Sequence, residues 1–234
     1  AVEIGKRADV PVHISHLKAT NPEQSEKILR YIDTVAVKEC DFSFDVYPYF
    51  SSATMLSYML PYEVWVDGPA ASLEKLKSPI IRERFGRYLH SVKDHDLERI
   101  RIGWLAGERN RPFIGRSLGD FVRASKKQLA DALADLLIEE RLAVLLVIRR
   151  DDDSLVHPFL AHEKFMLGTD GVYFPDGAVH PRMFGSPARI LGSCVRKHHL
   201  FSLEDAVYKM TASPAKRFGL KNRGQIAKGY FADI

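Results

Sequence analysis

An α/β fold is what the sequence predicts, and three observations predict it. Short β-branched or apolar runs of strand length recur at Val10 to Ile14, Phe42 to Val46, Ala143 to Ile148 and Phe165 to Gly168. Segments with helical spacing lie between them, which is the alternation that builds parallel sheets. Small and polar residues follow the carboxyl ends of the runs, where an α/β barrel gathers its chemistry because the strand-end loops converge on one cavity. Four such strands make half of an eight-stranded barrel. Half a barrel has two open edges that something must cover.

The elements follow in order. Ala1 to Arg7 reads as the last turns of an amphipathic helix, with neither an initiating methionine nor the apolar core of a signal peptide. Val10 to Ile14 is the first strand. Pro22 to Lys38 is a helix, with Ile28, Ile32 and Val35 on one face, Asn21 as N-cap and Pro22 at the first helical position. Phe42 to Val46 is the next strand and ends at Tyr47-Pro48-Tyr49. From Leu56 to Lys127 prolines and glycines punctuate short elements, so 56–127 is expected to be an insertion between barrel units. Gln128 to Glu140 is helical through Leu129, Leu133, Leu136 and Leu137, and the buried strand Ala143 to Ile148 follows. Leu155 to His162 is a short helix and Phe165 to Gly168 the last strand. A helix from Pro187 to about Lys197 comes next, then another opened by Ser202, with Asp205 three residues later in the pattern of a capping box. The expected organisation is therefore 1–55 with two barrel strands, 56–127 inserted, 128–220 with two more strands and the C-terminal helices, and 221–234 leading out toward another strand. On this reading the chain begins and ends mid-fold.

Composition narrows the classes. With 46% apolar residues among 234 the chain can fill a core. Its longest apolar run, Leu142 to Ile148, is far short of the roughly 20 residues that span a bilayer, so no membrane is expected. The net charge of +4 is spread over mixed-sign stretches such as Lys75 to Arg101, a solvated surface and not a nucleic-acid footprint. Cys40 and Cys194 have no CxxC spacing, which argues against a disulfide scaffold and for a reducing, cytoplasmic setting. Phosphate-loop, dinucleotide, HExxH and GxSxG motifs are all missing.

Chemistry concentrates at strand ends. Asp170, in Gly168-Thr169-Asp170-Gly171, has small neighbours, so its carboxylate has room to bind a divalent cation and to pass a proton. A turn aspartate has the same local signature. His13 and His16 stand three apart, and alternation puts them on opposite faces unless the strand ends between them. His16, nearer the loop, is the better metal ligand; a histidine bonded to a backbone carbonyl is the alternative. Arg182, after His180-Pro181, suits two-pronged recognition of a carboxylate, though a surface ion pair uses the same residue. Tyr47 and Tyr49 give a mouth that is part apolar and part hydrogen-bonding.

Several segments, in order, resemble the D-aminoacylases, which are N-acyl-D-amino-acid deacylases of the amidohydrolase superfamily. They are Val10 to Lys18 (VPVHISHLK), Asp45 to Tyr49 (DVYPY), Asn110 to Pro112 with Gly115 to Leu118, Leu167 to Gly171 (LGTDG), and His180 to Arg182 with Ala188 to Gly192, followed by the tail from Ser202 to Tyr230. The resemblance implies the C-terminal half of a metal-dependent (β/α)8 barrel with an insertion, beside a small β domain. It implies that His16 is the zinc-ligand histidine of the fifth strand and Asp170 the eighth-strand aspartate, both a metal ligand and the general base and acid. Arg182, with His180, Tyr47 and Tyr49, would bind substrate. One or two zinc ions and a small N-acyl-D-amino acid are the implied cofactor and substrate, with water cleaving the amide to a carboxylate and a free D-amino acid. The family's His-x-His pair and bridging cysteine have no counterpart, and DVYPY has Tyr47 near the place of the sixth-strand histidine. The chain alone is therefore expected to be inactive without an N-terminal part. A cyclic amidase of the same superfamily and a metal-free barrel remnant are the rival readings.

Overall fold

A computed structural model describes residues 1–91 and 96–233. Part of the Lys75 to Arg101 stretch, 92–95, and Ile234 lie outside the described residues. In chain order the elements are α1 (Val2–Ala8), β1 (Val12–Ile14), α2 (Pro22–Tyr31), α3 (Val37–Glu39), β2 (Phe42–Val46), β3 (Ser52–Met55), α4 (Tyr62–Trp65), α5 (Gly68–Lys75), α6 (Pro79–Ser91), β4 (Ile100–Leu105), α7 (Leu118–Ser125), α8 (Leu129–Glu139), β5 (Val144–Ile148), α9 (His157–Ala161), β6 (Phe165–Leu167), α10 (Arg182–Arg189), α11 (Leu203–Met210) and α12 (Ala212–Arg217). They divide between two compact units, Ala1–Phe50 with Asp152–Gly171 and Pro181–Ile234, and Ser51–Asp151 with Val172–His180.

The first unit is built on a parallel sheet of order β1-β2-β6, with Val12 opposite Phe42 and Phe44 opposite Phe165. Parallel neighbours require crossovers, and α2 with α3 supplies the one between β1 and β2. Asn21 caps α2 as its sequence indicates, Oδ1 accepting from Gln24 N at 2.9 Å. The helix then widens into a π turn over Ile32–Ala36, so the single helix expected from Pro22 to Lys38 comes as three joined pieces. Central β2 is covered on both faces, which is why FSFDV does not alternate cleanly. Phe44, Phe159, Phe165, Ile32 and Ile190 are fully buried around it. Pro187 does not open its helix: Pro181 does, its φ of −59° preset for the first turn, and Pro187 sits inside α10, which runs on as a π helix to Lys197. Ser202 caps α11 by accepting from Asp205 N at 3.0 Å, and Asp205 bonds back to the hydroxyl, not to the backbone N–H of a full capping box.

The second unit is a three-stranded antiparallel sheet, order β3-β5-β4, with Ala53 opposite Val147 and Ile102 opposite Leu146. This corrects one expectation. The run Ala143 to Ile148 is a strand, but it pairs antiparallel with β3 and β4 and is not a parallel neighbour of β6. A fully apolar run of strand length signals burial on both faces in either setting, so periodicity cannot choose between them. Helix α8 packs with α6 and α7 around Phe85, Leu105, Leu118, Leu133 and Leu136, so residues 128–151 belong with the expected insertion. Among the described residues the parallel sheet accordingly has three strands, not four. Helix α7 is held by a full capping box between Ser117 and Asp120.

Candidate functional site

Within the first unit, the carboxyl ends of all three parallel strands carry the polar residues singled out above. Beyond β1 the chain turns at His16, which takes a left-handed φ of 43° and is exposed. That conformation is held by Asp45, near the end of β2, whose Oδ1 accepts from His16 N at 2.8 Å. The same carboxylate accepts from Ser15 Oγ at 3.0 Å and meets His13 Nε2 at 2.8 Å. The other nitrogen of His13 meets Ser43 Oγ at 2.8 Å, so both ring nitrogens are occupied and His13 is a structural residue. Gly168, after β6, passes against Asp45 so closely that a Cβ there would collide with the carboxylate.

Asp170 also adopts a left-handed φ, 45°, and its Oδ2 lies 2.7 Å from an Arg182 guanidinium nitrogen. The two most informative residues of the sequence thus form an ion pair. Its members differ in setting: the Arg182 side chain is 3% exposed, that of Asp170 36%. Arg182 enters at the first position of α10 and stands over the Tyr47 ring, 4.6 Å from its centre. The guanidinium also bonds the Tyr47 phenol, while burial pushes that phenol's pKa up. Lys18 Nζ lies over the same ring at 3.6 Å and donates to the Tyr49 carbonyl at 2.7 Å. Burial first, and the neighbouring Arg182 charge second, pull the Lys18 pKa down to about 7.

Tyr49 is placed differently from Tyr47. Its ring lies under Arg189, 4.5 Å away, and its hydroxyl abuts Gly185, where a Cβ would come within 2.5 Å. Arg189 is in turn paired with Asp153, whose other oxygen accepts from Phe50 N at 2.6 Å. His180 is buried and belongs to the second unit. Of the predicted residues, then, Arg182 is in contact with both Asp170 and Tyr47. Asp45, Lys18, Arg189 and Asp153 were not singled out from sequence. Asp45 carried a usable signal, a carboxylate near the end of an apolar strand; the others become visible only through partners distant in the chain.

Among the described residues no group of three or more His, Cys, Asp or Glu side chains comes together that could hold a metal ion. Cys40 and Cys194 are both free, and no described helix is long and apolar enough to cross a membrane.

Residues 120–234 match the Amidohydrolase family. The relatives are more particular. Over 99% of its length the chain is 32% identical to a D-aminoacylase and 30% identical to an N-acyl-D-glutamate deacylase, both of Alcaligenes xylosoxydans xylosoxydans. The fold agrees with the crystal structure of D-aminoacylase (TM-score 0.71, 30% identity) and with N-acyl-D-glutamate deacylase from Bordetella bronchiseptica complexed with zinc and a phosphonate inhibitor (0.70, 28%). Each alignment covers 99% of this chain and 41% of the solved one. The chain spans 40% of the length of those two curated relatives.

Proposed function

We propose that this chain is the part of an N-acyl-D-amino-acid deacylase that supplies the proton-transferring aspartate, Asp170, and the carboxylate receptor, Arg182. The observation that carries this reading is their contact at 2.7 Å beside Tyr47, in a chain matched end to end by D-aminoacylases. In the reaction water adds to the acyl carbon, the C–N bond breaks, and the amine nitrogen must gain a proton. Asp170, the exposed member at the strand end, can take a proton from water and return it to that nitrogen. Arg182, buried and braced by the Tyr47 ring, fixes the substrate's α-carboxylate with a planar fork that a lysine cannot match. The three-stranded sheet is read as part of a (β/α)8 barrel, and the cytoplasm as the setting of the two free thiols. Zinc, one or two ions, is the cofactor that the relatives support, with His16 and Asp170 as this chain's offerings. The described residues do not by themselves gather a ligand set for it.

A chimera supplying the remaining part of the D-aminoacylase relative is the test. It should release D-methionine from N-acetyl-D-methionine and leave the L-isomer intact. Asp170→Asn should then lower kcat about 10²–10⁴-fold. Full activity in that variant overturns the assignment of Asp170, and a folded chimera without activity favours a noncatalytic remnant.

A further inference from the structure

Resting on that reading, we propose that Arg182 exchanges carboxylates: it holds Asp170 in the ligand-free protein and releases it when the substrate's α-carboxylate arrives. Both roles fall on one guanidinium. The N–H group that meets Asp170 at 2.7 Å is on the fork that an incoming carboxylate needs for a two-pronged bond. Two carboxylates side by side on that fork would repel each other. One of them has to leave.

The surroundings decide which. Arg182 is 3% exposed, fixed at the start of α10, stacked on Tyr47 and bonded to its phenol. A cation so buried is stable only with an anion against it, and removal of that anion is strongly unfavourable unless another takes its place. Asp170 is the movable partner. Its side chain is 36% exposed, its backbone is in the left-handed region that a non-glycine residue occupies at some strain, and Gly168 and Gly171 flank it within two residues. The substrate's own carboxylate therefore keeps the buried guanidinium neutralised as Asp170 swings away. The device makes the proton carrier available only when a carboxylate-bearing substrate is seated. N-acyl amines, and amides or esters of the substrate, would leave Asp170 latched.

The exchange is tested on the chain itself by calorimetry, with the ketomethylene analogue of N-acetyl-D-methionine, which cannot be hydrolysed, and with the primary amide of that analogue. Asp170→Ala, or Asp170→Asn if the alanine variant fails to fold, removes the competing anion and should tighten binding of the carboxylate analogue about tenfold or more. It should leave binding of the amide unchanged, and Arg182→Gln should abolish binding of the carboxylate. Unchanged or weaker binding in both Asp170 variants, with Arg182→Gln still abolishing it, overturns the exchange but leaves Arg182 as the receptor. If Arg182→Gln binds like the parent chain, the receptor assignment and the exchange fall together. If no folded form binds the carboxylate, the exchange is also wrong, because the unlatched guanidinium should take it.

Discussion

A single methyl group at Gly168 would meet Asp45 Oδ1 and Cγ well inside contact distance, and Asp45 Cβ at 2.9 Å. That carboxylate cannot retreat cheaply, since Ser15, His13 and the His16 amide all bond it. Gly168→Ala should therefore destabilise the chain by about 1–3 kcal/mol, read as a lowered urea midpoint at unchanged slope; an unaltered midpoint would mean that the strand end is looser than described. Cys194 gives a pH prediction. Burial pushes its thiol up to about 11, from an unfolded value near 9. The folded state thus holds the proton more tightly. Its contribution is complete below about pH 9 and is lost as pH rises through 11, so a Cys194→Ala variant should show a shallower alkaline fall in stability than the parent. Asp170, Arg182 and His16 were singled out through the family resemblance, because locally a turn aspartate, a surface ion pair and a histidine bonded to a backbone carbonyl carry the same signatures. Asp45 offered a signal of its own, a carboxylate near the end of an apolar strand, whereas Lys18 was not legible, because what defines it lies about thirty residues away, the Tyr47 ring and the Tyr49 carbonyl.

Elements were legible where one local rule settles them. Asn21-Pro22 announces α2, and the capping residue Ser202 announces α11. The failures come from pairing, which is a tertiary choice: the strand Val144–Ile148 found its partners in β3 and β4, and the helix containing Pro187 began at the earlier proline. A bulge in β4 is equally silent in sequence. The register shifts between Ile102 and Trp104, Gly103 O accepts from Ala178 N at 2.8 Å, and Trp104 stacks on Phe174 at 4.1 Å and 14°. This pair ties the segment 172–180 to β4. Trp104→Ala should remove about 1 kcal/mol of stacking and make chymotrypsin cut faster at Tyr173 and Phe174, whereas Trp104→Phe keeps a stacked ring and should restore most of the protection. If both variants resist cleavage like the parent, the Ala178 bond and the Arg111–Asp176 ion pair are sufficient anchors.

At the scale of the whole chain, the second unit has the features of an independently folding domain. Its antiparallel sheet and helices α4 to α8 enclose their own core, from Leu56 and Phe85 to Leu133 and Leu146. The chain enters and leaves it at adjacent points: Ser51 Oγ donates to Arg150 O at 3.1 Å and accepts from Arg150 N at 2.9 Å. Ends so close need little loop entropy to join, and roughly a hundred residues suffice for a stable core. Only the segment 172–180 is contributed from elsewhere in sequence. Residues 51–151 expressed alone should therefore give a cooperative urea transition, with near-ultraviolet dichroism from packed aromatic residues such as Phe113 and Phe121, whose rings meet edge to face at 5.1 Å. The isolated piece should lose only what the segment 172–180 supplies, chiefly the Trp104 stack, and adding that segment as a peptide should raise the midpoint. A broad, non-cooperative transition with dye-binding apolar surface would show instead that the antiparallel sheet depends on the rest of the chain, and that the second unit is not a domain in the thermodynamic sense.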